Sequence, residues 1–163
     1  MQAYEIYQKM SNDVYILKNG GMLTDISGLH GETWILEKTY SANQNTEVEN
    51  IYTVDGYFGA IYQNDKTGEI VVVNGGTDVT ALSEVSHNGI ENNEMVKSLV
   101  SQQYNSARQI MQDALSLAAK HSGTVSSTGD SLGGALSQMQ AVEFGVHSVT
   151  FNYQTFLGGA LLK

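Results

Sequence analysis

The sequence predicts an α/β domain: a mixed, mostly parallel sheet with flanking helices. Three observations carry this. From residue 57 onward the patterns run strand, strand, helix, strand, helix, strand, the alternation that builds parallel pairs. The run Ile70-Val71-Val72-Val73 is continuously apolar, as a strand buried on both faces must be. Residues 96–118 place Val96, Leu99, Val100, Gln103, Ala107, Ile110, Met111, Ala114, Leu115 and Ala118 on one helical stripe.

Each element has its own local reason. Residues 3–16 carry Tyr4, Tyr7, Met10, Ser11 and Val14 at steps of three and four, which predicts a short helix ended by "KNGG". "ETWILEKTY" (32–40) has strand character, and the polar "SANQNTEVEN" (41–50) reads as a loop. Residues 57–63 and 69–73 flank "NDKTG" and form a hairpin. Residues 78–94 are polar and irregular. The long helix starts at Met95, with Lys120, His121 and Gly123 suited to its C-terminus. "TVSST" (124–128) is a short β-branched strand. Leu132, Ala135, Leu136, Met139 and Val142 form a second helical stripe closed by Gly145, and "HSVTFN" (147–152) is the last strand.

With 163 residues the chain suits one domain: a helix and loop region at 1–55, a core at 56–152 and an apolar tail at 153–163. A hydrophobic content of 41% excludes a disordered chain. The net charge of -9 argues against nucleic acid, because eight scattered cations cannot neutralise a run of phosphates. The lack of cysteine excludes disulfides, thiol catalysis and Cys-type zinc sites. No apolar run reaches membrane-spanning length. "MQAYEIYQKM" lacks the basic and apolar regions of a Sec-type signal peptide, which leaves a cytoplasmic location or export by a signal-less route.

The stretch that carries chemistry is "STGDSLGGALSQMQ" (127–140), with Gly129-Asp130-Ser131-Leu132-Gly133 at its centre. Nucleophilic serine chemistry on an α/β sheet needs a strand, a sharp turn with the serine at its top, and a helix directly after it. Glycines beside the serine let backbones pass closely. The helix N-terminus favours negative charge developing nearby. The plainer alternative is a glycine-rich strand-to-helix loop that only packs well. A second feature favours chemistry. "VVVNGGTD" ends a buried strand in two glycines and Thr77, a loop able to offer an oxyanion donor alongside the backbone N–H of Leu132.

These residues together resemble the class 3 lipases. "NDKTGEIVVVNGGTD", a long helix, "TGDSLGGALSQMQA" and "VTFN" follow one another in that family's order and approximate spacing over residues 56–152. The resemblance is closest to the bacterial lipase-like and phospholipase-like branch. It implies a partial α/β-hydrolase fold and hydrolysis of carboxylic esters or phospholipids, with a lipid or ester small molecule as ligand. It implies no metal and no organic cofactor. Carried over residue by residue, Ser131 matches the nucleophile, and Thr77 and Leu132 match the oxyanion-hole residues.

The chain departs from the family at three places. The family's histidine before the nucleophile is Asp130, its arginine in the oxyanion loop is Gly75, and its small residues after F-N are replaced in "FNYQTF". A serine nucleophile also needs a histidine and an orienting acid, which in this fold follow it in the chain. Residues 132–163 contain no Asp and only His147, which opens a strand and so belongs at the opposite sheet edge from Ser131. His30 lies in a loop and His121 at a helix end. His87, in the segment after the oxyanion loop, is retained as the candidate base. The chain therefore reads as the nucleophile-bearing part of a lipase-type domain. The alternative is an inactive relative that binds lipid or a protein partner. A last strand with an open edge and an apolar tail predict a homo-oligomer or a partner chain covering that edge.

Overall fold

The computed structural model describes residues 2–44, 47–75 and 89–151. The chain begins with helix α1 (Gln2–Asp13), continues as a 3₁₀ turn (Val14–Asn19) and enters strands β1 (Ile26–Ser27) and β2 (Thr33–Ser41). Strands β3 (Glu49–Tyr52), β4 (Gly59–Asn64) and β5 (Ile70–Asn74) follow. Helix α2 (Gly89–His121), strand β6 (Val125–Asp130), helix α3 (Leu132–Phe144) and strand β7 (His147–Phe151) complete the described part.

One sheet runs in the order β1-β2-β4-β5-β6-β7, with β3 paired beside β1 on the outer side of β2. The architecture is α/β, as the alternation predicts, but the expected parallel majority is absent. Pairs β2–β3, β5–β6 and β6–β7 are parallel, whereas β1–β2, β2–β4 and β4–β5 are antiparallel. Connection length accounts for four of these pairs: tight turns near residues 28–32 and 65–68 return the chain antiparallel, while the helical crossovers α2 and α3 keep β5–β6 and β6–β7 parallel. The predicted 41–50 loop also gives way to β3 from Glu49.

The sheet is covered on both faces. Val71 and Val73 of β5 point toward α1 with Ile6, Tyr7, Met10 and Val14. Ile70 and Val72 point the other way, toward Ala107, Ile110 and Met111 of α2 and Leu132 and Leu136 of α3. This two-sided burial is why β5 has no polar alternation, and each large side chain so buried contributes about 2 kcal/mol.

Strand β6 is buried too, yet it reads Ser126-Ser127-Thr128. Its hydroxyls are partnered by the layers above and below. Ser126 Oγ lies 2.9 Å from Tyr7 Oη, and Ser11 Oγ lies 3.1 Å from Thr128 Oγ1. Ser127 Oγ donates to Ser137 O on the other face. Tyr7 Oη also donates to Glu69 Oε1 at 2.7 Å, so α1 is docked by directional bonds as well as by apolar contact.

The predicted stripe of α2 is buried at Val100, Gln103, Ala107, Ile110, Met111, Ala114 and Ala118, and Tyr104 joins it. Helix α2 begins at Gly89, earlier than the sequence pattern places it. In α3 the stripe prediction fails at its end: Val142 is 67% exposed, while Gly133, Gly134, Ser137 and Gln140 are buried. The first turns of α3 are enclosed between the sheet and α2, so burial there is not confined to one stripe. Among the described residues no helix is long and apolar enough to cross a membrane. The apolar tail at 153–163 lies outside the described residues.

Candidate functional site

Ser131 stands where β6 ends and α3 begins, and its backbone is the anomaly of the fold. Its φ is 55° and its ψ is -117°, a region in which a residue with a Cβ is strained by about 1–3 kcal/mol. Among the described residues the other non-glycine with positive φ is Ser122. Helix termination explains that one: Gly123 N–H closes back onto Ala118 O just after α2 ends. No comparable economy explains Ser131. A serine placed only to start a helix would adopt an extended φ and turn its hydroxyl onto the N–H groups of the first turn. Ser131 makes no such side-chain capping bond. Its hydroxyl donates instead to Asp130 Oδ1 at 3.3 Å, and both residues are half-buried.

The backbone on either side is anchored. Ser131 N–H donates to Phe151 O at 3.0 Å, extending the β6–β7 ladder to the serine itself. Ser131 O accepts the first bond of α3, from Ala135 N–H at 3.1 Å. The N–H groups of Leu132, Gly133 and Gly134 thus have no acceptor within the helix, the usual state of a first turn. Tyr15 Oη donates to Asp130 O at 3.3 Å, so the 3₁₀ turn also braces the bend.

Two glycines make the sharp turn possible. A Cβ on Gly129 would stand 2.3 Å from the carbonyl of Gly133, and one on Gly133 would stand 2.1 Å from Asn74 O. Helix α3 therefore sits with its first turn directly on the backbone where β5 ends. The register agrees, since Asn74 pairs with Gly129 across β5 and β6. The end of β5 and the serine turn, 57 residues apart in sequence by numbering (74 and 131), are in van der Waals contact.

The predicted site residues separate accordingly. Ser131 and Leu132 lie at the turn, with Leu132 buried and its N–H at the helix start. Gly75 is placed against this turn, its N–H held by Phe58 O at 2.8 Å. Thr77 and His87 lie outside the described residues.

His30, His121 and His147 all fall at the opposite sheet edge. His147 pairs with Ser126 at the start of β6. The carbonyl of His121 lies beside Gly68 in the β4–β5 turn, and His30 sits in the β1–β2 turn beside the same edge. On the serine's own edge, Asp55 accepts from Tyr57 N–H at 3.0 Å through one oxygen and from Ser106 Oγ at 2.7 Å through the other. Among the described residues no group of three His, Asp or Glu side chains is arranged to hold a metal ion.

Sequence reasoning missed a buried polar cluster formed by Tyr57, Asn74, Ser137 and Gln140 behind the turn. A signal for it was available: Asn74 ends an otherwise apolar run, and Gly133, Ser137 and Gln140 share one face of α3 at steps of four and three. Burial, and secondarily the charge of Asp55, pushes the Tyr57 phenol well above its ordinary range, so it acts as a neutral donor.

No family model matches this chain, and no curated protein matches it in sequence.

Proposed function

We propose that this chain is a lipase- or esterase-like serine hydrolase, or the nucleophile-bearing part of one, built on a partial α/β-hydrolase fold. The observation that carries the reading is the strained, non-capping conformation of Ser131 at the head of α3. In that geometry the hydroxyl makes no bond to the helix cap, and the first-turn N–H groups are left without it.

In the proposed reaction Ser131 Oγ bonds to the carbonyl carbon of a carboxylic ester. Negative charge on the carbonyl oxygen is met by Leu132 N–H and by a donor from the loop after β5, where Thr77 is the candidate. The ester C–O bond breaks, and the alcohol leaves with the proton taken from Ser131. Water then attacks the acyl-serine, releases the acid and returns a proton to Oγ. The proton acceptor is not His30, His121 or His147, which stand at the far edge of the sheet. Within this chain His87 is the candidate base; if the chain is the nucleophile-bearing part alone, another polypeptide supplies it.

One observation favours the second reading, an inactive lipase-like module that binds lipid or a protein partner. The carboxylate of Asp130 accepts from Ser131 Oγ and would oppose charge developing there. A fluorophosphonate probe separates the two. Labelling of the full chain that disappears in Ser131→Ala supports the hydrolase. Absence of label, with candidate partner chains added, favours the binding module.

A further inference from the structure

The end of β5 is held by more than sheet bonds. Asn74 is fully buried, and every hydrogen-bonding position of its side-chain amide is used. Its Nδ2 donates to Ser137 Oγ at 2.8 Å and to Gln140 Oε1 at 2.7 Å. Its Oδ1 accepts from Tyr57 Oη at 2.6 Å and from Gln140 Nε2 at 3.2 Å. Gln140 Nε2 also donates to Ala107 O at 2.8 Å, which ties α2 into the same cluster.

An apolar residue at position 74 would fill this space without directional demands. The sequence spends a fully satisfied amide pair there instead, and such a pair specifies one relative position of the elements it joins. The elements are the strand end that leads into the oxyanion loop and the helix that carries the nucleophile. The backbone contact between them, Gly133 on Asn74 O, has no slack.

We infer that Asn74 is a positioning residue for Ser131: through Gln140 and Ser137 it sets the separation between the end of β5 and the serine turn. This inference rests on the hydrolase reading above. The cluster is made of amides, a hydroxyl and a phenol held neutral by burial, so it fixes geometry without placing a charge near the reacting oxygen.

The test uses the full chain, a fluorophosphonate probe and two variants. Asn74→Leu removes the amide at similar volume, and Gln140→Met removes its partner in an isosteric side chain. The maximal rate of Ser131 phosphonylation, with fluoride as leaving group, is measured separately from the half-saturating probe concentration. Measurements are made well below each variant's melting temperature, read from Trp34 fluorescence. The expected result is a maximal rate lowered on the order of tenfold or more, since small displacements at a reacting centre are costly in rate. A folded variant with the wild-type maximal rate overturns the positioning role while leaving the hydrolase reading intact. If Asn74→Leu does not fold, the rate of Gln140→Met decides. A wild-type chain that takes no label even with candidate partner chains added overturns the hydrolase reading and this inference with it.

Discussion

Gly133 and Asn74 meet backbone to backbone: a Cβ on the glycine would lie 2.1 Å from the asparagine carbonyl oxygen. This is the point at which α3 is seated on the sheet. Gly133→Ala must displace either the strand end or the helix, because the opposing atom is main chain and has no rotamer to change. We expect a loss of about 1–3 kcal/mol in stability, as overpacking typically costs. The denaturant midpoint and the Ser131 labelling rate should fall together. An alanine variant as stable as wild type would show that the seat is looser than described.

Ser131→Gly should stabilise the protein while abolishing labelling. Glycine occupies φ 55°, ψ -117° without a Cβ penalty, so about 1 kcal/mol or more of strain is relieved, partly offset by the greater freedom of the unfolded chain. Ser131→Ala keeps the Cβ and should show no such gain. Equal denaturant midpoints for the glycine and alanine variants would mean that no strain is stored at the turn.

Tyr7→Phe should weaken the docking of α1. It removes the bonds to Glu69 and Ser126 and leaves the buried Ser126 hydroxyl short of a partner. The expected cost is about 1–3 kcal/mol. The check is chemical denaturation followed through Trp34, which is buried on the α1 face.

Stability should fall at alkaline pH. Burial raises the phenols of Tyr7, Tyr40, Tyr57, Tyr62 and Tyr104, with hydrogen bonds to Asp113 and Glu143 adding to it at Tyr40 and Tyr104. In the unfolded chain tyrosine ionises near about 10. A folded value raised above the unfolded one contributes stability that is complete below about pH 10 and is lost as pH climbs beyond it. Ultraviolet titration should therefore show these phenols ionising together with unfolding. Reversible ionisation of all of them in a chain that stays folded would contradict the burial.

Strand β7 pairs with β6 on one side and, among the described residues, with nothing on the other. An edge of this kind invites a second strand. The expected outcome is a homodimer or larger assembly joined through β7, seen as a doubled or higher mass in light scattering. A monodisperse monomer at high concentration would remove the edge from consideration as an interface.

Much of the fold was readable along the chain because its causes are local. The β4–β5 hairpin, the doubly buried β5, the stripe of α2 and the strand–serine–helix turn each follow from periodicity or glycine placement within about twenty neighbouring residues. The same locality explains the position of Ser131 and Leu132 at one turn and of His147 at the far edge.

Other features depend on residues that meet only after folding. The register of β2 slips by one between Leu36 and Lys38, so Leu36 faces α1 while Tyr40 turns to the opposite face and donates to Asp113 of α2. An even alternation would have put both on one side. The exposure of Val142, the parallel pairing of β3 and the Asn74–Gln140 amide pair are of the same kind. Periodicity shows which face of an element is apolar, but it carries no information about which distant element will cover that face. Strand order, one bulge and the seat of α3 on Asn74 decided that here, and with it the surroundings of Ser131.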